Sequence, residues 1–180
     1  MFDTRQRFGS APDQNDDLEK ALPDYLERTY WWAYLRPASI RIFDRKPIVS
    51  AILWGQYRRL SDMVLASITP GDRVLQLACV YGDLSQRLAG RVGPQGALDI
   101  VDVAPIQIAN VRRKLAGIDW VRTHVADAAT ICDDQFDCVL SFFLLHELPD
   151  PLKRQVVDAA LAAVAPARQA RWHPMRPVVA

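Results

Sequence analysis

The sequence predicts an α/β fold in which a parallel sheet carries helices on both faces. From residue 72 onward, short apolar runs alternate with segments of helical periodicity, an order typical of parallel sheets. The apolar runs have the length and composition of strands that are buried on both faces. Polar residues follow several of these runs, at the strand ends where open sheets of this type bind their ligands.

Four strands and three intervening or following helices define the predicted core, residues 71–165. The strands are predicted at residues 74–78, 97–101, 120–125 and 136–141. One helix is predicted to begin at Leu84 and another at Pro105. A third helix should begin with Asp150 as its N-cap and Pro151 in its first turn. Together these elements predict a Rossmann-like cofactor-binding domain.

Two segments of different character precede this core. Residues 1–20 are polar and acidic without hydrophobic periodicity, which predicts a disordered or loosely docked tail. Residues 21–70 predict an aromatic-rich helical cap that ends in a long amphipathic helix before Pro70 and Gly71. Its Trp31 and Trp32 either pack on the sheet or form an interfacial surface toward a membrane.

The pattern fails after Val164, where a further strand is expected. Residues 165–174 have neither a β-branched run nor a turn glycine, and residues 166–180 are predicted to form an irregular tail. A natural irregular end would explain this, but we favour a C-terminally incomplete fold whose last part is missing or scrambled. The sheet would otherwise have few strands and an uncovered edge.

Composition excludes several classes of function. A formal net charge of +1 does not favour binding to nucleic acid. The three cysteines lack metal-type spacing and suggest reduced thiols. With neither a secretory signal pattern nor an apolar run of spanning length, we expect a cytoplasmic protein, and peripheral contact with the inner membrane face stays open.

The loop after the first strand is the first candidate binding element. The usual methyltransferase pattern here is acidic-x-Gly-x-Gly-x-Gly, and the matching positions hold Gln76, Ala78, Val80 and Gly82. Only the last glycine is retained, and Tyr81 precedes it. Alone this signal is weak, because a plain strand-to-helix turn would explain it equally well.

Acidic residues after the next two strands strengthen the prediction of a nucleoside site. Asp102, followed by Val103, ends the second strand 20 residues after Gly82, where a carboxylate accepts ribose hydroxyls. Asp127 follows the third strand, where an acid commonly meets an adenine amino group. A helix-entry acid and a solvated turn aspartate are the alternatives for these two positions.

His146 and Glu147 follow the fourth strand and are the candidate catalytic residues. The histidine is a possible base or ligand-orienting group, and the glutamate is a possible partner for a cation or metal. Because an isolated His-Glu pair is more often structural, catalysis is the weaker of the two interpretations.

Several strings along the chain resemble the rhodoquinone-biosynthesis methyltransferase-like family. The strings are Tyr30-Trp31-Trp32-Ala33-Tyr34, Phe43-Asp44-Arg45, Ala78-Cys79-Val80-Tyr81-Gly82 and Val101-Asp102-Val103-Ala104-Pro105-Ile106-Gln107, followed by Asn110, Arg112, Arg113, Lys114 and Leu115. The resemblance covers residues 25–164, and the altered glycine loop is its most specific part. It implies a class I S-adenosylmethionine-dependent methyltransferase fold with an N-terminal helical cap.

The resemblance also implies an unusual reaction. Members of this family convert ubiquinone to rhodoquinone by replacing a ring methoxy group with an amino group. S-adenosylmethionine is then the amino donor, and a divalent metal, manganese, assists. The expected substrate is therefore a polyprenyl quinone such as ubiquinone.

Two other functions stay open at this point. One is ordinary S-adenosylmethionine-dependent methylation of a quinone or another small molecule. The other is a non-catalytic protein, either a binding subunit or a truncated fragment, which the lost glycines and the abnormal end both favour. A dehydrogenase is disfavoured, because the first loop lacks the Gly-x-Gly that accommodates a pyrophosphate.

Overall fold

The computed structural model describes residues 55–79, 81–131 and 135–164. The helices are α1 (Tyr57–Ala66), α2 (Leu84–Val92), α3 (Pro105–Lys114) and α4 (Asp150–Ala163). The strands are β1 (Arg73–Leu77), β2 (Ala97–Asp102), β3 (Val121–Val125) and β4 (Cys138–Ser141). Two short 3-10 helices, Ala128–Thr130 and Leu145–Glu147, follow β3 and β4.

The four strands form one parallel sheet in the order β3-β2-β1-β4. The chain builds outward from β1 to β3 and then returns to place β4 on the other side of β1. The order of strands therefore reverses between β1 and β4. The loops after these two strands diverge at their carboxyl ends, which opens a crevice at this edge of the sheet.

Each face of the sheet has its own hydrophobic core. Val74 and Ile100 point to one face, where they pack with α1, α2 and α3. Leu75 and Leu77 point to the other face, where they pack with Phe136 and α4. Because β1 lies in the middle of the sheet, four of its five residues are buried, and three of these four are apolar.

The predicted core agrees with these elements to within one or two residues. The predicted class I Rossmann-like fold is confirmed. Asp150 differs from its prediction, because α4 begins at Asp150 itself and Pro149 is its N-cap. The Asp150 carboxylate instead accepts a hydrogen bond from Lys153 Nζ at 2.7 Å.

The chain beyond α4 turns back toward the sheet. Val164 forms an isolated parallel bridge with Phe136, and the Phe136 N–H donates to the Ala163 carbonyl at 3.1 Å. The next N–H, that of Asp137, donates to Arg73 of β1 on the opposite side at 2.8 Å. Val164 therefore lies on the side of this segment that faces away from β1.

Several predictions concern residues outside the described part of the chain. These are the N-terminal tail (1–20), most of the aromatic cap (21–70) and the irregular tail (166–180). Their boundaries stay predictions. Within the described ranges, no helix has both the length and the apolar character that crossing a membrane requires.

Candidate functional site

A cleft lies at the carboxyl ends of β1, β2 and β3, at the same edge of the sheet as the crevice described above. Its lining includes five residues that the sequence singles out, namely Ala78, Asp102, Val103, Asp127 and Glu147. The remaining wall is formed by Cys79, Val101, Ala104, Gln107, Ala126, Ala128, Leu144, Leu148 and Val156. Small residues near the strand ends leave space there. Leu144 and Leu148, which precede α4, and Val156, which lies in α4, supply an apolar wall.

Asp102 is the best-defined polar group of the cleft. Its Oδ2 accepts the N–H of Cys79 at 2.7 Å, and its Oδ1 accepts the N–H of Ala104 at 2.8 Å. Burial raises the pKa of this carboxyl to about 6, although the two backbone hydrogen bonds pull in the opposite direction and the Glu147 charge adds to the rise. The Cys79 thiol also donates to this carboxylate. A carboxylate has about four lone-pair sites, so the group retains acceptor capacity for a further donor such as a ligand hydroxyl.

Ala78 adopts a backbone conformation that glycine usually provides. Its φ is +64°, in the left-handed region, although it carries a side chain. Its N–H donates to the Val101 carbonyl at 2.8 Å, and its own carbonyl accepts from Gln76 Nε2 at 3.0 Å. The loop therefore keeps the chain path of a glycine at this position.

Gln76 supports the loop from below and does not line the cleft. It is fully buried, and its Oε1 accepts the hydroxyl of Ser85 from α2 at 3.0 Å while its Nε2 holds the Ala78 carbonyl. An acidic residue at this position would lack the amide donor that the Ala78 carbonyl needs. The structure thus places Gln76 in contact with the loop, and a direct ligand contact by Gln76 stays a prediction.

Two of the other predicted loop residues lie outside the cleft lining. The Tyr81 hydroxyl accepts from Gln107 Nε2 at 3.2 Å, and Gly82 packs against the ring of Tyr57. The Gly82 carbonyl accepts from Lys114 Nζ at 2.8 Å. Val80 lies outside the described residues.

Asp127 stands at the β3 end of the cleft. It is exposed, and its Oδ1 accepts the N–H of Ala129 at 2.9 Å, which caps the 3-10 helix Ala128–Thr130. One carboxylate oxygen is thus used locally. The position remains suitable for a ligand that carries an amino group.

The two candidate catalytic residues occupy different positions after β4. Glu147 lines the cleft with 17% of its side chain exposed, whereas the His146 side chain is 62% exposed and is not part of the lining. The imidazole Nε2 lies 3.9 Å from Glu147 Oε1, and the ring packs edge-on against Phe143. Of the pair, Glu147 is the one that lines the cleft.

Some cleft residues carried no functional signal in the sequence. Val156 reads as an ordinary core position of its helix. Leu144 and Leu148 lie in the stretch after β4 where ligand contacts are expected, but the 3-10 geometry between them leaves no periodic pattern that would single them out. The role of the backbone N–H groups of Cys79 and Ala104 could not be predicted from the sequence, because every residue type except proline supplies such a group. In the described parts of the chain, the His, Cys, Asp and Glu side chains form no group of three or more that would hold a metal ion.

Comparison with known proteins points to one family. The profile of the methyltransferase-domain family matches residues 74–167, slightly more than half of the 180 residues. A 2-phytyl-1,4-naphtoquinone methyltransferase from Nostoc sp. is 32% identical over 122 residues, which covers 61% of this chain and 53% of that protein. A ubiquinone/menaquinone biosynthesis C-methyltransferase from Xanthomonas campestris is 36% identical over 102 residues, covering 53% of this chain and 38% of that protein.

The fold has a counterpart among solved structures. Magnesium protoporphyrin IX methyltransferase from Synechocystis, crystallised with bound S-adenosylmethionine, superposes with a TM-score of 0.61 at 17% identity, covering 80% of this chain and 73% of that one. At this identity the likeness concerns the fold alone. The chain spans about half the length or less of the two quinone methyltransferases that it matches.

Proposed function

The chain belongs to the methyltransferase-domain family, and on that premise we propose that it binds S-adenosylmethionine and methylates a quinone or a related small molecule. The observation that carries this proposal is the Asp102 carboxylate, held by two backbone N–H groups at the carboxyl end of β2 inside a cleft. Methyl transfer was the alternative function in the sequence analysis, and the comparisons favour it over amino transfer.

The described residues fit the nucleoside part of this donor. Asp102 would accept the ribose hydroxyls, because its carboxylate keeps acceptor capacity beside the two N–H groups and the weakly donating Cys79 thiol, and it is not paired with a cationic side chain in the contacts above. Asp127 would face the adenine amino group, and Leu144, Leu148 and Val156 would pack on apolar ring surface. When bound, the donor supplies an electrophilic methyl group on a sulfonium centre.

The loop at Ala78 and Cys79 would hold the donor from the β1 side. Its chain path is fixed before any ligand arrives, since Gln76, Val101 and Asp102 each hydrogen-bond to it. A site ordered in advance spends less binding free energy on ordering itself. Glu147 would stand at the β4 side and contribute a negative charge near the cationic part of the donor.

A quinone is proposed as the acceptor because the two relatives described above are named for quinone-type substrates. The resemblance to the rhodoquinone family points to the same class of molecule. The aromatic string at residues 30–34, which would form a surface for a polyprenyl chain, lies outside the described residues.

Donor binding and product mass test this function in sequence. Calorimetry with S-adenosylhomocysteine measures binding to the purified chain, and Asp102→Asn should weaken it while the exposed Asp158→Asn on α4 should not. Incubation with S-adenosylmethionine and a quinone should then give a product heavier by one methylene unit. Folded protein that binds no donor would contradict the proposal and favour the non-catalytic alternative.

Amino transfer to ubiquinone is a second candidate because of Ala78. This residue lines the cleft where the common pattern has glycine, so its methyl group narrows the space near the strand end. Together with Val80, it would displace the methionine part of the donor and bring the amine toward the ring. Conversion of ubiquinone to rhodoquinone by a host expressing this chain would support the idea.

Glycine substitutions separate the two reactions. If Ala78→Gly and Val80→Gly change neither donor binding nor the ratio of methylated to aminated product, displacement of the donor is wrong. The manganese that the resemblance implies has no ligand group among the described residues, so no step is assigned to it.

Peripheral contact with a membrane is proposed for the N-terminal cap. Its Trp and Tyr residues combine apolar rings with polar groups, and several arginines accompany them, a composition that suits an anionic interface. Flotation with anionic liposomes should be lost when residues 1–46 are removed. Unchanged flotation of the shortened protein would exclude this role.

A further inference from the structure

Tyr57 connects helix α1 to the loop that leads into α2. It is the first residue of α1, and it is 5% exposed. Its hydroxyl donates to Asp83 Oδ1 at 3.1 Å and accepts the Asp83 N–H at 2.9 Å. One hydroxyl thus holds both the side chain and the backbone of the residue that precedes α2.

The same ring explains the one retained glycine of the loop. A Cβ added to Gly82 would lie 2.5 Å from the Tyr57 oxygen and 2.8 Å from its Cζ, closer than non-bonded atoms approach. Gly82 also has a φ of +95°, which side chains disfavour. In this protein the glycine therefore accommodates Tyr57, a residue 25 positions earlier in the chain.

The Asp83 carboxylate contacts Tyr57 and does not cap the helix that follows it. An aspartate immediately before a helix usually accepts an N–H of the first turn, but Asp83 makes no such side-chain cap with α2. Its carboxylate accepts the Tyr57 hydroxyl instead. Burial, with a contribution from the Asp83 charge, raises the pKa of Tyr57, so the hydroxyl stays protonated and able to donate.

A second anchor acts on the same loop from α3. Lys114 Nζ donates to the Gly82 carbonyl at 2.8 Å. The far end of the loop is fixed at Cys79, whose N–H donates to Asp102. Gly82 and Asp83 are therefore fixed from α1 and α3, while Cys79 is fixed from β2.

We propose that Tyr57 is a positioning residue for the donor site, acting through Gly82 and Asp83 on the loop that begins at Ala78. This inference rests on the proposed function, because it concerns affinity for the same donor. Since Tyr57 is the first residue of α1, a displacement of α1 on the core would move Gly82 and Asp83 with it. Donor affinity thereby becomes coupled to the docking of α1 on the core.

Tyr57→Phe tests the proposal, because it keeps the ring against Gly82 and removes only the hydroxyl. The affinity for S-adenosylhomocysteine, measured by calorimetry at a temperature where circular dichroism shows full folding, should fall about tenfold, equivalent to about 1.4 kcal/mol. Amide hydrogen exchange at Gly82, Asp83 and Leu84 should accelerate in the same variant.

Asp62→Asn is the matched control. Asp62 and Arg87 form an ion pair that also joins α1 to α2. Arg87 contacts Asp83 through its backbone N–H, which donates to the Asp83 carbonyl at 3.0 Å, and the substitution at Asp62 does not remove this bond. This variant should bind the donor with unchanged affinity even if its melting temperature falls. Asp83→Ala, which removes the carboxylate acceptor and keeps the backbone bond, should weaken binding by a smaller factor than Tyr57→Phe.

The outcomes separate this inference from the function on which it rests. Wild-type protein that is folded and binds no donor overturns the proposed function and this inference with it. Wild-type binding with a Tyr57→Phe affinity within twofold of it overturns the positioning role alone. Should Tyr57→Phe fail to fold, Asp83→Ala decides, and an unchanged affinity in that variant also overturns the role.

Discussion

Protonation of Asp102 should affect unliganded stability and donor affinity in opposite directions. Burial raises the pKa of this carboxyl from 3.8 to about 6 in the folded chain. Without ligand, Asp102 is therefore protonated in the folded chain but ionised in the unfolded chain at pH values between 3.8 and about 6. The contribution of this group to the free energy of unfolding is fully present below pH 3.8. It falls by about 3 kcal/mol as the pH rises to about 6.

Donor affinity should rise over the upper part of the same range. Only the ionised carboxylate can accept both ribose hydroxyls while it accepts the N–H groups of Cys79 and Ala104. Below pH 6 the ionised fraction falls about tenfold for each pH unit, and the apparent affinity should fall with it. Above about pH 7 the affinity should be flat with respect to this group.

Calorimetric titration with S-adenosylhomocysteine at about pH 5, 6, 7 and 8 would measure this profile. Asp102→Asn should bind weakly at every pH, because its amide has one acceptor oxygen for two backbone donors. Asp158→Asn, an exposed position on α4, should keep the wild-type profile. A wild-type affinity that does not change between pH 5 and pH 8, or an Asp102→Asn variant with the same pH dependence, would refute the reasoning.

Further expectations concern single positions. Glu147→Gln should move the midpoint of the affinity profile to lower pH, since the Glu147 charge adds to the raised pKa of Asp102; an unmoved midpoint would show that the two carboxylates do not interact. Gly96→Ala should destabilise the fold by about 1–3 kcal/mol in urea denaturation, because its Cβ would lie 2.4 Å from the Asp72 carbonyl oxygen. Gly90 lies inside α2 with open space around it. Gly90→Ala should therefore instead stabilise the fold by about 0.5–1 kcal/mol. His124→Ala should cost about 3 kcal/mol, because it removes the partner, at 2.8 Å, of the buried Asp99 carboxylate; urea midpoints near those of the wild type would contradict this.

The core of the fold was predictable because central parallel strands are apolar on both faces. β1 is the clearest case, since its apolar run reflects packing against α2 on one side and α4 on the other. Asp102 and Asp127 were predictable as cleft residues because strand ends in such a sheet meet at one edge. Both conclusions needed only the order of elements along the chain.

The way in which the loop is held was not predictable from the sequence. Hydrophobic periodicity reports which face of an element is buried, but not which buried side chain meets which loop. Tyr57 reads as one apolar position on a helix face, and its hydroxyl contacts Asp83 across 26 positions of sequence. The same limit hid the role of Gln76, whose match to an acidic position suggested a ligand contact, while the structure shows a contact with the Ala78 carbonyl.

The lost glycines of the first loop are therefore weaker support for a non-catalytic protein than the sequence suggested. Glycine serves such a loop by allowing positive φ and by leaving room for a close neighbour. Ala78 retains the first property, at a cost of about 1–2 kcal/mol that its bonds to Val101 and Gln76 help to offset. Gly82 retains the second, but toward Tyr57. At Ala78 the backbone geometry persists although the glycine is replaced, so donor binding has to be judged by the hydrogen-bonded backbone of the loop and by Asp102.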